Sequence, residues 1–139
     1  MEASLELRNV MLRLYASLST GDMSEIEKLY SHQEDILVIG TDPDEWWAGY
    51  ASFACAHEAQ YQHMGGNYRI EAGELYTFVE GDVGWAGDRA AIQMPDGQRI
   101  PIRMTCVFHR EEGGWKVVQQ HVSVGAPNAE AFGVEFSEI

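Results

Sequence analysis

The sequence predicts one α+β domain over residues 1–139, in which three N-terminal helices pack on a strongly curved, mostly antiparallel sheet. Two observations predict this fold class. Apolar residues recur at three- and four-residue steps in the first half of the chain, as they do in amphipathic helices. From Asn67 onward, long apolar runs are separated only by short turns, which is typical of an antiparallel meander.

The helices are predicted from periodicity and from their end signals. Apolar residues share one face from Leu5 to Leu18, and the glycine that follows at position 21 ends this first helix. A second, short helix follows two overlapping capping signatures, Ser24 with Glu27 and Asp22 with Glu25. The third helix is predicted from Tyr50 to His63, before a pair of glycines.

The strands are predicted from runs of branched and aromatic residues between turn signals. Ile36 to Ile39 is a short apolar run and predicts a buried strand between the second and third helices. Short segments rich in glycine, aspartate and glutamate then separate four longer strands. These longer strands are predicted at Tyr68–Val79, Val83–Met94, Arg99–Arg110 and Trp115–Val124.

The last strands carry apolar residues on both faces, which predicts protein on both sides of the sheet. In the third long strand one face is wholly apolar, and the opposite face carries Pro101, Arg103, Thr105, Val107 and His109. Helices can cover one face, so we expect a second copy of the chain to cover the other in a homodimer. In the fourth strand, alternation groups Val117, Gln119, His121 and Ser123 against Val118, Gln120, Val122 and Val124.

The segment from Gly125 to Ile139 is mildly apolar and is expected to pack on the body of the protein or on a partner.

The charge excludes several classes of partner. Nine Lys and Arg against 22 Asp and Glu give a net charge of −13, which disfavours nucleic acid and anionic membranes. No apolar run approaches the ~20 residues of a membrane span, and the N-terminus lacks the basic and apolar regions of a signal peptide. These features predict a cytoplasmic protein, in which Cys55 and Cys106 stay reduced.

Two stretches carry a family resemblance. Leu18-Ser19-Thr20-Gly21-Asp22, running into Ile26 and Leu29-Tyr30, resembles the opening of nuclear transport factor 2-like (NTF2-like) proteins, which include ketosteroid isomerase and the SnoaL-like polyketide cyclases. The stretch from Gly114 to Pro127, with its Trp115, His121 and Ser123, is similar to the closing strand of the SnoaL-like branch and of the calcium/calmodulin-dependent protein kinase II association domain. The resemblance implies a cone-shaped fold with a ligand cavity at its mouth, and it leaves the function open.

Three polar residues of the last two strands are the first site candidates. Arg103 stands in an apolar strand, where it could hold a ligand carboxylate or enolate oxygen, pair with an internal acid such as Glu45 or Glu71, or lie on an exposed face. His121 could act as a general acid or base, with Ser123 as a hydrogen-bond donor. The alternative for His121 is a structural position, satisfied by backbone or placed in a dimer interface.

Aromatic residues complete the candidate site. Trp46, Trp47 and Trp85 could line the cavity and stack on a flat ligand. Tyr15 and Tyr61 could donate hydrogen bonds to a ligand carbonyl, although helical aromatics at such spacing also build cores.

Two hypotheses of function follow, and neither includes a metal or a cofactor, because the sequence has no His or Cys spacing typical of a metal site and no P-loop or G-x-G-x-x-G motif. The first is a homodimer whose cavity binds a small anionic or aromatic molecule. The second is a cofactor-independent isomerase, cyclase or dehydratase acting on a small carbonyl compound. There His121 would move a proton and Arg103 would stabilise the developing oxyanion. A steroid isomerase is disfavoured, since the first strand, Ile36 to Ile39, lacks the carboxylate base such an enzyme needs.

Overall fold

The computed structural model describes residues 1–136, and it confirms the predicted α+β class. Helices pack on one face of a curled, unclosed sheet of eight strands. The helices are α1 (Leu5–Thr20), α2 (Met23–Leu29), α3 (Tyr50–His63) and the short α4 (Asn128–Phe132). The strands are β1 (Glu2–Ala3), β2 (Leu37–Ile39), β3 (Trp46–Ala48), β4 (Arg69–Glu71), β5 (Tyr76–Glu80), β6 (Val83–Gln93), β7 (Arg99–Glu111) and β8 (Gly114–Ser123).

The helix ends follow local chemistry. The Ser4 hydroxyl accepts a hydrogen bond from the Leu7 amide and begins α1, and Gly21, with φ of 65°, ends it. The Asp22 carboxylate accepts from two backbone amides and begins α2, so the Asp22–Glu25 spacing marks this helix rather than the Ser24–Glu27 spacing.

The sheet is antiparallel except for one pair. Its strand order is β1-β5-β6-β7-β8-β2-β3, with β4 also paired to β6, and among the strands of residues 1–136 only β2 and β8 run parallel. The long β6, β7 and β8 form its centre, as the turn signals predict.

The prediction of one continuous strand over Tyr68–Val79 is wrong, because the structure divides this segment into β4 and β5. Gly73 lies in the break and packs directly on the β6 backbone, where a Cβ atom would come 1.9 Å from the Arg89 carbonyl oxygen. The Gly73 amide donates a hydrogen bond to the Asp88 side chain instead of to a neighbouring strand. Because this amide bonds to a β6 side chain and not to the β6 backbone, the β-ladder is interrupted between β4 and β5.

A bulge in β8 changes which side chains face inward. Phe108 of β7 pairs with Val117, but the preceding Val107 pairs with Gln119, so Val118 is an extra residue. An extra residue inverts the alternation beyond it. Val117 is therefore buried together with Gln120, whereas the sequence alternation placed these two residues on opposite faces.

The core lies between the helices and the inner face of the sheet. Helix α1 contributes Leu7, Met11 and Leu14, and β7 contributes the apolar face that its alternation predicts. That face consists of Ile100, Ile102, Met104, Cys106 and Phe108. The opposite face of β7, with Arg103, Thr105 and His109, is exposed.

Two further predictions concern the chain as a whole. Among residues 1–136, none of the helices combines the length and the apolar character that crossing a bilayer requires. The predicted C-terminal segment, Gly125–Ile139, contains α4, while its residues 137–139 lie outside the described part. Phe132 and Phe136 of this segment contact each other and are exposed to solvent.

Candidate functional site

A cavity of about 520 Å³ opens between α3, the inner face of the sheet and the loop that joins β2 to β3. Its walls are mostly apolar. The sheet side is built from inward residues of β6, β7 and β8, which the alternation of these strands directs into the cone. These sheet residues include Ile92, Ile100, Ile102, Met104 and Val122.

The charge at the cavity is acidic. Asp42 and Glu45 line it, and none of the lining residues within the described chain is a lysine or an arginine. The Glu45 carboxylate accepts hydrogen bonds from the Asp42 amide at 2.8 Å and from the Gln60 side-chain amide at 2.5 Å. Glu45 therefore ties the β2–β3 loop to α3 rather than capping α3, whose first residue follows Gly49.

Helix α3 presents His57 to the cavity. This side chain is 8% exposed, and its Nε2 atom has no hydrogen-bond partner among the described residues. Burial lowers the pKa of His57, and the backbone carbonyl of Leu18 opposes that shift only in part. The ring is therefore neutral at pH 7, and it lies between the rings of Phe53 and Tyr61.

Two other polar side chains of the lining, Gln120 and Tyr68, differ in burial and in hydrogen bonding. Gln120 is buried, and its amide oxygen accepts a hydrogen bond from the buried Tyr30 hydroxyl at 2.5 Å. Tyr68 is half-buried beside the Tyr61 ring, and burial raises the pKa of Tyr68 to about 12. Both remain uncharged at neutral pH, so they add hydrogen-bonding capacity without adding charge.

Arg103 and His121 lie outside the cavity, on the outer face of the sheet. Arg103 alternates with the buried Ile102 and Met104, and its guanidinium donates to the Ser123 hydroxyl at 3.1 Å. His121 pairs with Thr105 beyond the bulge at Val118, which directs it outward with Ser123. The expectation that Arg103, His121 and Ser123 face the hollow is therefore wrong, because β7 directs its apolar face inward and β8 changes phase.

The three candidate tryptophans are also divided between the cavity and the outer face of the sheet. Trp47 lines the cavity and contacts Phe53 edge-on, with ring centroids 6.1 Å apart. Trp46 and Trp85 belong to the outer face, since Trp46 is 62% exposed and Trp85 alternates with the inward Ala86. Trp85 contacts Phe78 of β5 there. The expected lining position is thus found for Trp47 and not for Trp85.

Neither predicted tyrosine donor lines the cavity. The Tyr15 hydroxyl is buried and donates to the Asp88 carboxylate at 2.8 Å. Burial, and then this hydrogen bond, raise the pKa of Tyr15. The Tyr61 hydroxyl donates to the Gly66 carbonyl at 2.7 Å and closes the turn after α3. Both hydroxyls therefore already have protein partners, and a ligand in the cone meets neither of them.

None of the α3 residues that line the cavity is among the site candidates predicted from the sequence. Phe53, His57, Gln60 and Met64 line one wall at steps of four, three and four residues. This is the spacing of one helical face, so the signal for His57 is present in the sequence. In the described residues there is no group of three or more His, Cys, Asp or Glu side chains that could hold a metal ion.

The comparisons with known proteins agree with the motifs at both ends of the chain. A family model described as the SnoaL-like domain matches residues 7–127. Among curated proteins, none matches this chain.

Several solved structures share the fold. An NTF2-like protein of unknown function from Pseudomonas putida is 22% identical, with a TM-score of 0.76 over 85% of this chain and 83% of its own. An uncharacterized protein with a cystatin-like fold from Caulobacter vibrioides is 16% identical, with a TM-score of 0.73 over 90% of this chain and 91% of its own. A candidate dehydratase of the NTF2-like family from Streptomyces avermitilis is 14% identical, with a TM-score of 0.75 over 87% of this chain and 94% of its own. At these identities the likeness establishes the fold alone.

Proposed function

The chain belongs to the SnoaL-like domain family, and from this premise we propose that its cone binds a small, neutral, largely apolar molecule that contains a ring. The observation that carries the proposal is the lining of the 520 Å³ cavity, which is apolar on most sides and has acidic side chains but no lysine or arginine among the described residues. This volume is in the range of small-molecule sites.

The aromatic part of the predicted ligand class has support in the lining. Trp47 and Phe53 form one wall, and a flat ring packed against this wall has one of its faces removed from water. Burial of apolar ligand surface contributes about 25 cal/mol per Å², and the entropy of association offsets part of this gain. We expect dissociation constants on the order of micromolar for bicyclic probes.

The anionic part of the predicted ligand class has lost its support. Arg103, the cation on which it depended, lies on the outer face of the sheet. A ligand anion in the cavity would instead meet the carboxylates of Asp42 and Glu45 at the mouth. Like charges at such a site repel one another, so the cavity favours a neutral molecule.

Matched probes of one ring system test this proposal. We expect the protein to bind neutral 2-methoxynaphthalene at least about tenfold more tightly than anionic 2-naphthoate in a calorimetric titration. Val122→Trp fills the cavity from β8 and should abolish binding, while Leu12→Trp adds the same ring on the exposed side of α1 and should leave binding unchanged. Tighter binding of naphthoate, or full binding by Val122→Trp, would contradict the proposal.

The enzymatic alternative requires a different location. An isomerase, cyclase or dehydratase that used His121 as acid or base and Arg103 as oxyanion stabiliser would need its substrate on the outer face, where both side chains lie. That assignment stays a prediction, and the likeness to a candidate dehydratase is one of fold.

The homodimer is the second part of the proposal, and the outer face of the sheet supports it. One row of paired residues crosses six strands there, from Tyr76 through Thr105 and His121 to Trp46. The aromatic residues at its two ends are 60% and 62% exposed. The adjacent row contains Phe78, Trp85 and Val107. A second copy of the chain would remove this aromatic and aliphatic surface from water.

A further inference from the structure

We propose that His57 anchors the ligand of the cone by accepting a hydrogen bond at Nε2 from a neutral hydroxyl or N–H group of that ligand. The ligand class then narrows to ring-containing alcohols, phenols or amides. This inference rests on the proposed function, because it names the polar contact of the same cavity.

The first support is an unsatisfied atom. Two buried side-chain nitrogens lack a hydrogen-bond partner among the described residues, and they are His57 Nε2 and Trp115 Nε1. Of the two residues, only His57 lines the cone. A buried polar atom without a partner destabilises the folded protein, so a partner supplied by a ligand would be favourable.

The second support is the contrast with the other buried polar side chain of the lining. Gln120 has its amide oxygen held by the Tyr30 hydroxyl, so this acceptor is already in use. His57, by contrast, stands between the rings of Phe53 and Tyr61, which offer no acceptor or donor directed at Nε2. Among the described residues that line the cavity, His57 Nε2 is thus the buried side-chain nitrogen that lacks a partner.

The third support is the protonation of the ring. A neutral imidazole has one N–H donor and one lone-pair acceptor. Burial lowers the pKa of His57 and keeps the ring neutral at pH 7, so the ring carries a single proton, which we place on Nδ1. Nε2, the nitrogen without a partner, is then the acceptor and requires a donor from the ligand.

Two probes that differ in one hydrogen-bond donor test the anchor. The hydroxyl of 2-naphthol can donate to Nε2, whereas 2-methoxynaphthalene has the same ring and no donor. We expect the wild-type protein to bind 2-naphthol about fivefold more tightly than the methoxy probe, as one neutral hydrogen bond predicts. His57→Phe should reduce this ratio to about one while it keeps its affinity for 2-methoxynaphthalene.

Two control variants separate the anchor from the fold and from the rest of the cavity. His32→Phe changes an exposed histidine that lies outside the lining of the cavity and should keep the fivefold ratio. His57→Gln retains an acceptor and should restore part of the ratio that His57→Phe loses. Binding of the methoxy probe by each variant reports that its cavity is intact.

The outcomes distinguish the two proposals. Equal binding of the two probes by the wild-type protein, or a ratio that survives in His57→Phe, would overturn the anchor and leave the apolar cavity as a binding site. Absence of binding for both probes would overturn the proposed function, and the anchor with it.

Discussion

At the scale of single residues, the buried contact between Tyr15 and Asp88 joins α1 to the centre of the sheet. The Tyr15 hydroxyl donates to one carboxylate oxygen of Asp88, and the Gly73 amide donates to the other. Both side chains are buried, so each depends on the other to satisfy its polar atoms. The contact gives Tyr15 a structural role, which is the alternative that its helical spacing predicts, rather than the role of a ligand donor.

Removal of that hydroxyl should destabilise the protein. Tyr15→Phe keeps the packed ring but leaves one oxygen of Asp88 without its donor, so the free energy of unfolding should fall by about 1–3 kcal/mol in urea denaturation. Tyr50→Phe removes a hydroxyl that has no hydrogen-bond partner among the described residues and lies outside the outer face of the sheet, so it is the matched control, with an expected change within about 0.5 kcal/mol. Equal effects of the two substitutions would show that the Tyr15–Asp88 hydrogen bond contributes nothing to stability.

Residue identity predicted part of the site. Of the three tryptophans that the sequence makes candidates for the lining, Trp47 alone lines the cavity of the described residues. Arg103 was ambiguous from sequence, since an arginine in an apolar strand can face either side. The Arg103 side chain points outward because Ile102 and Met104, which alternate with it, pack in the core. This orientation depends on the packing of the whole sheet and cannot be read from the strand alone.

At the scale of secondary structure elements, helix ends were the most predictable features. Helix α3 begins at Tyr50 and ends at His63, as predicted, because Gly49 and the glycine pair at 65–66 adopt positive φ on either side of it. The bulge in β8 was not predictable, because Val118 resembles its neighbours in size and both faces of the strand carry apolar residues. Alternation alone therefore could not locate the change of phase that directs His121 outward.

The break between β4 and β5 gives a prediction with a matched pair of glycines. Gly73→Ala would place a Cβ atom 1.9 Å from a β6 carbonyl oxygen, so the backbone must shift, and we expect the free energy of unfolding to fall by about 1–3 kcal/mol. Gly87→Ala in β6 has no atom within 4 Å of the added Cβ and should be neutral or slightly stabilising. Urea denaturation of both variants at one protein concentration measures the difference. A tolerated Gly73→Ala would mean that the close approach does not constrain the break.

At the scale of the whole molecule, the aromatic surface and the net charge have opposite effects on self-association. In the proposed homodimer, burial of the aromatic rows would favour association of the outer faces, whereas a net charge of −13 on each copy opposes it. The cavity lies on the other side of the sheet, so a dimer formed through the outer face leaves the mouth of the cone accessible. Ligand binding and self-association can therefore be tested separately.

Sedimentation velocity tests the association and its electrostatic component together. We expect a species of twice the 15.6 kDa chain mass, whose dissociation constant falls as sodium chloride rises from about 50 mM to about 500 mM, because salt screens the repulsion between two acidic copies. Val107→Glu places a carboxylate in the middle of the aromatic rows of both copies and should give a monomer that still binds 2-methoxynaphthalene. Leu12→Glu adds the same charge on the exposed side of α1 and should leave the dimer intact. A monomeric wild-type protein would show that the outer face is not a self-association surface. A dimer that weakens in salt would instead point to ion pairs, with Arg103 as a contributing cation, rather than to apolar contact.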